Sequence, residues 1–416
     1  MLYYHESLFI PRAQEVSAAR RLSGGYSFGN DFYQIWLTSR KLRLGFDPYG
    51  EEMTRDIQTG LYSRPLNPAR PSDFVDRRVF PYPAFTLLLF WPAAQIPFPI
   101  VRVMVLVLLA GLTVLTILLW IRALRWRLEG PARWAIILLT SCSYPVLEGL
   151  YAGQIGLLGA FLLALAIICL QRKRLLLAGS LMALATMKPQ MSALAIVYLL
   201  IWSSAEWRTR RRFVVGLAST LALLVGASLI AMPGWIPAWI HTVLAYHGYT
   251  RPPLITEVLT SHLGRASGLA ALLLTIAALA AALSLAWRNR RAAADSDDFC
   301  FTLALLLAIT SVFVLPGQAV YDHLILLPGL FLLLKLSHQL RSAGPAFRLL
   351  AGIGIVVVFW PWAAAFVLVV TRVFTSSISD GALSLPIRTA ASLPFAVLAL
   401  VAWAWRIIPS KSRGFA

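Results

Sequence analysis

Between Val103 and Ile121 the chain runs through 19 positions without a charge. Runs of roughly 17–25 apolar residues can cross the ~30 Å hydrocarbon of a bilayer. Ten further apolar runs follow, at about 134–147, 153–170, 174–188, 189–204, 213–232, 266–287, 299–315, 321–337, 347–371 and 388–406. Lipid cannot hydrogen-bond an exposed backbone, so spans of this kind close their bonds internally as helices. The pattern predicts an all-α polytopic membrane protein with about eleven transmembrane helices.

Charge alternates across the loops between these runs. One set of loops and ends carries 20 Lys/Arg: Arg122, Arg125, Arg127, Arg133, Arg172 to Arg174, Arg208, Arg210 to Arg212, Arg288, Arg290, Arg291, Lys335, Arg341, Arg348, Arg406, Lys411 and Arg413. The other set carries six: Arg102, Lys188, Arg251, Arg265, Arg372 and Arg388. Short basic loops stay in the cytoplasm, so the second set is expected to face out. With it go Glu148, Gln154, His241, His247, His262, Gln318, Tyr321, Asp322 and His323. The net charge of +19 would suggest nucleic acid in a soluble protein. In this chain it sets topology and attracts anionic headgroups, so the expected partners are membrane lipids and not nucleic acid. Cys142, Cys169 and Cys300 sit in or beside apolar runs without metal-ligand spacing, and read as packing residues.

Residues 1–80 differ, with eleven Lys/Arg, nine Asp/Glu and abundant turn residues. The apolar piece 84–94 is too short to cross hydrocarbon at about 1.5 Å per residue. It is expected as an interfacial or re-entrant helix on the outer surface. Residues 1–100 are thus read as an extracytoplasmic loop region and 101–416 as the bundle. Eleven crossings put the C-terminus inside. The 174–204 stretch becomes a hairpin with Lys188 at its tip. Export of a polar region ahead of the first span argues for a twelfth, N-terminal helix upstream of residue 1.

Several short pieces, taken in order, resemble glycosyltransferase family 87: Asp31-Phe32-Tyr33-Gln34-Ile35-Trp36, Leu44-Gly45-Phe46-Asp47-Pro48-Tyr49, Phe80-Pro81-Tyr82-Pro83, Gly153-Gln154, the segment from Ala178-Gly179 to Lys188-Pro189, and Tyr321-Asp322-His323. The resemblance runs from about residue 25 to the C-terminus. It departs from the family in the missing first helix and in Tyr82-Pro83-Ala84, where the family often has Tyr-Pro-Pro. It implies a GT-C-type bundle with a large first extracytoplasmic loop. The implied activity is transfer of a hexose, mannose above all, from a polyprenyl-phosphate donor to a lipid or glycan acceptor. No cofactor is expected, since metal independence suits this donor class.

Sugar transfer from such a donor needs a carboxylate to take the proton of the attacking hydroxyl. By its place in the motif, Asp31 is the expected catalytic base; the plainer reading is an N-cap for a helix starting at Phe32. Lys188 is either a snorkelling helix end or a phosphate ligand that stabilises the leaving group. His323 is a second candidate phosphate donor, and Arg251, in an outer loop rich in aromatics, a third. Gln154 and more weakly Glu148 could bind sugar hydroxyls. Asp322, Tyr321 and Tyr82 join them as substrate-binding candidates, although residues 321–323 also fit an interfacial helix start. Asp47 reads first as turn chemistry before Pro48 and second as a substrate contact.

Asp295-Ser296-Asp297-Asp298 contains a formal DxD pattern, but beside Arg290 and Arg291 it reads as a solvated charge run. The rival from another class is a transporter or flippase of lipid-linked saccharides, which would place its binding groups near the midplane between repeats. A GT-C ligase moving whole oligosaccharides is a third reading. The expected location is the inner (plasma) membrane, with the site on the extracytoplasmic side.

Overall fold

The computed structural model describes residues 1–20, 22, 28–263, 267–317, 319–340, 343–375 and 378–408. Arg265, Gln318, Arg341, Lys411 and Arg413 lie outside them. Among the described residues the chain is helical, with a single isolated bridge between Pro253 and Pro316. Leading pieces Leu2–Tyr4 and His5–Phe9 run on into α1 (Ile10–Ala19). The N-terminal region continues with α2 (Asn30–Leu42), α3 (Glu51–Tyr62) and α4 (Phe85–Phe90). Then follow α5 (Phe98–Ala123), α6 (Gly130–Ser141), α7 (Tyr144–Ala152), α8 (Gly156–Gln171), α9 (Leu175–Ala185), α10 (Pro189–Ala205), α11 (Trp207–Ala231), α12 (Trp235–Tyr249), α13 (Leu254–Leu263), α14 (Ser267–Arg288) and α15 (Asp297–Phe313). The 3₁₀ turn Val320–Leu326 leads into α16 (Leu327–Lys335), and α17 (Pro345–Phe374) and α18 (Leu393–Ile407) complete the bundle.

Each of the eleven apolar runs contains helix, but they are not equal. Among the described residues, α5, α11, α14, α17 and the run Asp380–Ile407 are long and apolar enough to cross a bilayer. The pair α6 and α7 makes a sixth span if its 53° bend is one broken crossing. Helices α8, α9 and α10 are shorter. Of these, α8 is enclosed along most of its length. The long helices instead turn large side chains outward, such as Val107, Leu223 and Ile355, a pattern suited to lipid. The chain is an all-α polytopic membrane protein.

Helices α9 and α11 meet through paired glycines. A Cβ on Gly179 would collide with the Phe213 carbonyl, and one on Gly216 with the Leu176 carbonyl. Thr220 Oγ1 donates to Ser180 Oγ at 2.9 Å across the same contact. Close backbone approach through small residues is how membrane helices associate without a hydrophobic drive.

The basic loops gather at one end of the bundle. Gln171 donates to the carbonyls of Ala123 and Ala294, Lys335 to that of Leu124, Trp202 to that of Ala292, and Arg210 to that of Arg290. In the formal DxD run, Asp295 pairs with Arg125, Asp297 lies 3.9 Å from Lys335, and Ser296 caps α15.

Residues 1–100 do not stand apart. Phe32, Ile35, Met53, Ile57 and Phe80 share one continuous buried cluster with Val101, Ile155, Met187 and Leu324. The 84–94 piece is α4, whose Phe85, Thr86 and Leu87 are buried; Ser39 Oγ donates to the Leu87 carbonyl at 3.3 Å. The mixed charges of the N-terminal region pair off: Lys41 with Asp56, Arg64 with Asp73, Arg77 with Glu51 and Arg78 with Asp31.

Candidate active site

Asp31 is the second residue of α2, not its cap; Gly29 holds that place in a left-handed conformation. The Asp31 side chain turns inward, because the start of α2 docks on the end of α7. Gly29 N–H donates to the Tyr151 carbonyl at 2.7 Å. Helix α7 closes with Gly153 at φ +68° and a bond from Gln154 N–H to the Gly149 carbonyl at 2.8 Å, a Schellman ending. A Cβ on Gly153 would lie 2.9 Å from Phe32 Cβ. Glycine there permits both the turn and the contact, and Gln154 is delivered beside Asp31.

Five polar side chains then form a continuous line. Arg78 Nη1 donates to Asp31 Oδ1 at 2.9 Å. Gln154 Nε2 donates to Asp31 Oδ2, and its Oε1 accepts from Lys188 Nζ at 3.2 Å. Lys188 Nζ donates to Asp322 Oδ1 at 2.6 Å and stands 4.7 Å from the centre of the Tyr321 ring. Lys188 precedes Pro189 at the start of α10, with φ −130°, as a residue before proline prefers. It is 5% exposed, so it does not snorkel. Asp322 is fully buried, and its Oδ2 and the Nδ1 of buried His323 have no hydrogen-bond partner among the described residues. Residues 321–323 therefore form an interior turn and not an exposed helix start. Gly156 opens α8 directly against this pair; a Cβ there would strike Asp322 Oδ1. The same helix ends at Gln171 among the basic loops. At 1.5 Å per residue its length puts the polar line roughly 24 Å from them, at the opposite end of the bundle.

Burial raises the Asp31 carboxyl above the ordinary carboxylate range, opposed by the charge of Arg78 and the hydrogen bond from Gln154. A carboxylate shifted this way is a stronger base. Tyr82 and Tyr246 lie close enough to sense Asp31, and burial pushes both phenols up.

Other candidates lie elsewhere. Arg251 is exposed and donates to Glu257 at 3.1 Å, outside the polar line. Asp47 accepts from Tyr49 N–H at 3.0 Å, turn chemistry beside Pro48. Glu148 is held by His5 and Tyr144 at 3.2 Å each. Arg78, Tyr62 and Tyr246 escaped the sequence reading. Arg78 Nε donates to the Tyr62 hydroxyl at 3.0 Å, while its own N–H donates to Asp76 Oδ1 at 2.9 Å. Its φ of +55° is uncommon outside glycine and costs on the order of 1–2 kcal/mol. The available signal was its place two residues before Phe80-Pro81-Tyr82-Pro83.

The model of glycosyltransferase family 87 matches residues 80–316, more than half of the chain. The protein belongs to glycosyltransferase family 87. No curated protein and no solved structure matches it. As a family 87 member it is a glycosyltransferase, which decides between enzyme and transporter. The matched stretch contains Tyr82, Gln154 and Lys188. Asp31, Arg78 and residues 321–323 lie beyond it and are tied to it by the hydrogen bonds above.

Proposed function

We propose that this family 87 enzyme transfers a hexose, mannose in the first instance, from a polyprenyl-phosphate donor to a lipid or glycan acceptor on the outer face of the plasma membrane. The observation that carries the reading is the unbroken line Arg78–Asp31–Gln154–Lys188–Asp322, which sets a part-buried carboxylate and a buried ammonium on either side of one amide.

Asp31 takes the proton of the acceptor hydroxyl as that oxygen bonds to the anomeric carbon. The bond from the anomeric carbon to the phosphate oxygen breaks at the same time, and the polyprenyl phosphate leaves with the electron pair. The anomeric centre inverts. Two of the three Lys188 N–H groups go to Gln154 and Asp322, which leaves one for a phosphate oxygen. Positive charge fixed in a dry site stabilises the leaving group without a metal. Lys188, with His323 beside Asp322, is the proposed phosphate ligand; Gln154, Tyr321, Asp322 and Tyr82 are proposed to surround the sugar.

A lipid-borne donor is supported by an apolar cavity of about 630 Å³ between α6, α16, α17 and α18. His323 lines it at one end, and Leu340 and Arg348 at the other. From His323 to Leu340 its wall extends on the order of 25 Å, room for an extended isoprenoid chain with its head at the polar line. The placement opposite the basic loops supports the outer face, by the positive-inside rule.

The test is transfer of label from polyprenyl-phosphate-mannose to membrane lipids by the reconstituted protein. Asp31→Asn should lower the rate by about 10²–10⁴, the range for a lost general base. Undiminished transfer in that variant would remove Asp31 from the role.

A further inference from the structure

On the sidedness proposed above, a second, outer cavity of about 420 Å³ adjoins the polar line at Arg78. Its walls come from three distant parts of the chain: α1 with Phe9 before it, the 74–78 loop with Tyr62 behind it, and the turn at Asp380–Leu383. Arg78 is the wall it shares with the catalytic carboxylate, since this guanidinium lines the cavity and also binds Asp31 Oδ1 at 2.9 Å. The apolar cavity, by contrast, reaches the polar line at its other end, through His323. The two cavities thus meet opposite ends of one hydrogen-bonded line.

Their chemistries differ as much as their positions. The outer cavity carries two guanidinium groups, Arg12 and Arg78, and two carboxylates, Asp76 and Asp380. Arg12 Nε donates to Asp380 Oδ1 at 2.7 Å, and Arg78 lies 3.7 Å from Asp76. The charges cancel, so nothing in the lining favours an anionic headgroup. Phe74, which packs on Tyr62 at 5.6 Å between ring centres and carries the Arg20 guanidinium 4.6 Å over its ring, lines the cavity with Phe9 beside the paired charges. Aromatic faces beside bidentate donors and carboxylate acceptors suit a neutral polyhydroxylated ring: apolar ring faces stack while hydroxyls bond at the edges. The size falls within the ~300–1,000 Å³ of small-molecule sites.

We infer that this cavity is the acceptor site and binds the terminal sugar of the acceptor, delivering its hydroxyl to Asp31 past Arg78. The inference rests on the transfer reaction proposed above. Val16 lines the cavity without a polar contact, and Val16→Trp fills it; Phe74→Ala removes one aromatic face.

In the labelled-donor assay both variants should raise the KM for acceptor at least tenfold while the KM for donor stays within twofold. An unchanged acceptor KM in both variants, or a donor KM that rises instead, overturns the assignment. A second arm does not depend on transfer. In a Cys142→Ser background, which removes the exposed native thiol, Ser384→Cys is labelled with a maleimide in the presence of millimolar methyl α-mannoside or methyl α-glucoside. Labelling slowed at least threefold by a hexoside supports the site, and labelling unchanged by both overturns it. If wild type transfers no label, the proposed reaction fails and the protection arm alone decides the cavity.

Discussion

Replacing Arg78 by methionine isolates the cost of leaving Asp31 without its cation. The side chain keeps most of its volume and loses charge and hydrogen bonds. The pair is part-buried, with Arg78 19% and Asp31 15% exposed, so removing one partner costs less than the ~3–5 kcal/mol of a fully buried pair. Protonation sets a ceiling on that cost. At pH 7 a carboxyl of ordinary pKa takes up a proton for roughly 4 kcal/mol, and at pH 5 for roughly 1.5 kcal/mol. Burial already raises the Asp31 pKa, and loss of Arg78 raises it further. A carboxyl with a raised folded-state pKa loses stability as pH climbs. The variant is therefore expected to lose about 2–3 kcal/mol at pH 7 and about 1 kcal/mol less at pH 5. The double variant Arg78→Met/Asp31→Leu should recover most of the loss at pH 7, since no carboxylate is left without its cation. Unfolding titrations in mixed micelles at both pH values measure this. Transfer by Arg78→Met should show its acid limb at higher pH than wild type. An equal loss at both pH values, with a double variant as unstable as the single, would refute the argument.

Lys188→Met should lower transfer by about 10²–10³, the range for one lost electrostatic contact to a developing anion, read as kcat/KM for labelled donor. Gly156→Ala pushes a methyl into Asp322 Oδ1; a cost of about 1–3 kcal/mol in stability and at least a tenfold loss of transfer should appear together. Gly179→Ala forces α9 off α11 at the Phe213 carbonyl and should cost a similar ~1–3 kcal/mol in micelle unfolding, with a smaller effect on transfer at saturating donor.

The positions of the apolar helices were legible because apolar run length is a local property of the chain. What they could not convey was which runs are enclosed. α8 and α5 look alike as sequence, yet α8 is buried in the bundle while α5 turns Val107 and Leu108 outward. Asp31, Gln154, Lys188 and Asp322 stood out as polar residues in short motifs beside apolar runs. Their joining into one line depends on Gly29, Gly153 and the turn before Pro189, whose joint effect is tertiary. Arg78 was illegible for a related reason. Its left-handed backbone and its bond to Asp31 depend on a loop conformation, and no periodicity marks a loop. Arg251 shows the converse error, a suitable residue type on a suitable loop whose side chain finds Glu257 at the surface.

The long-range hydrogen bonds also bear on biosynthesis. Asp31 waits for Gln154, 123 residues later, and Lys188 waits for Asp322, 134 residues beyond it. Emerging from the ribosome, the first hundred residues carry Phe32, Met53 and Ile57 before Val101, Ile155, Met187 and Leu324 of the same cluster have been made. The proposed site is thus complete only once more than three quarters of the polypeptide has been made, and a chain that ends before Asp322 leaves the Lys188 ammonium without its carboxylate.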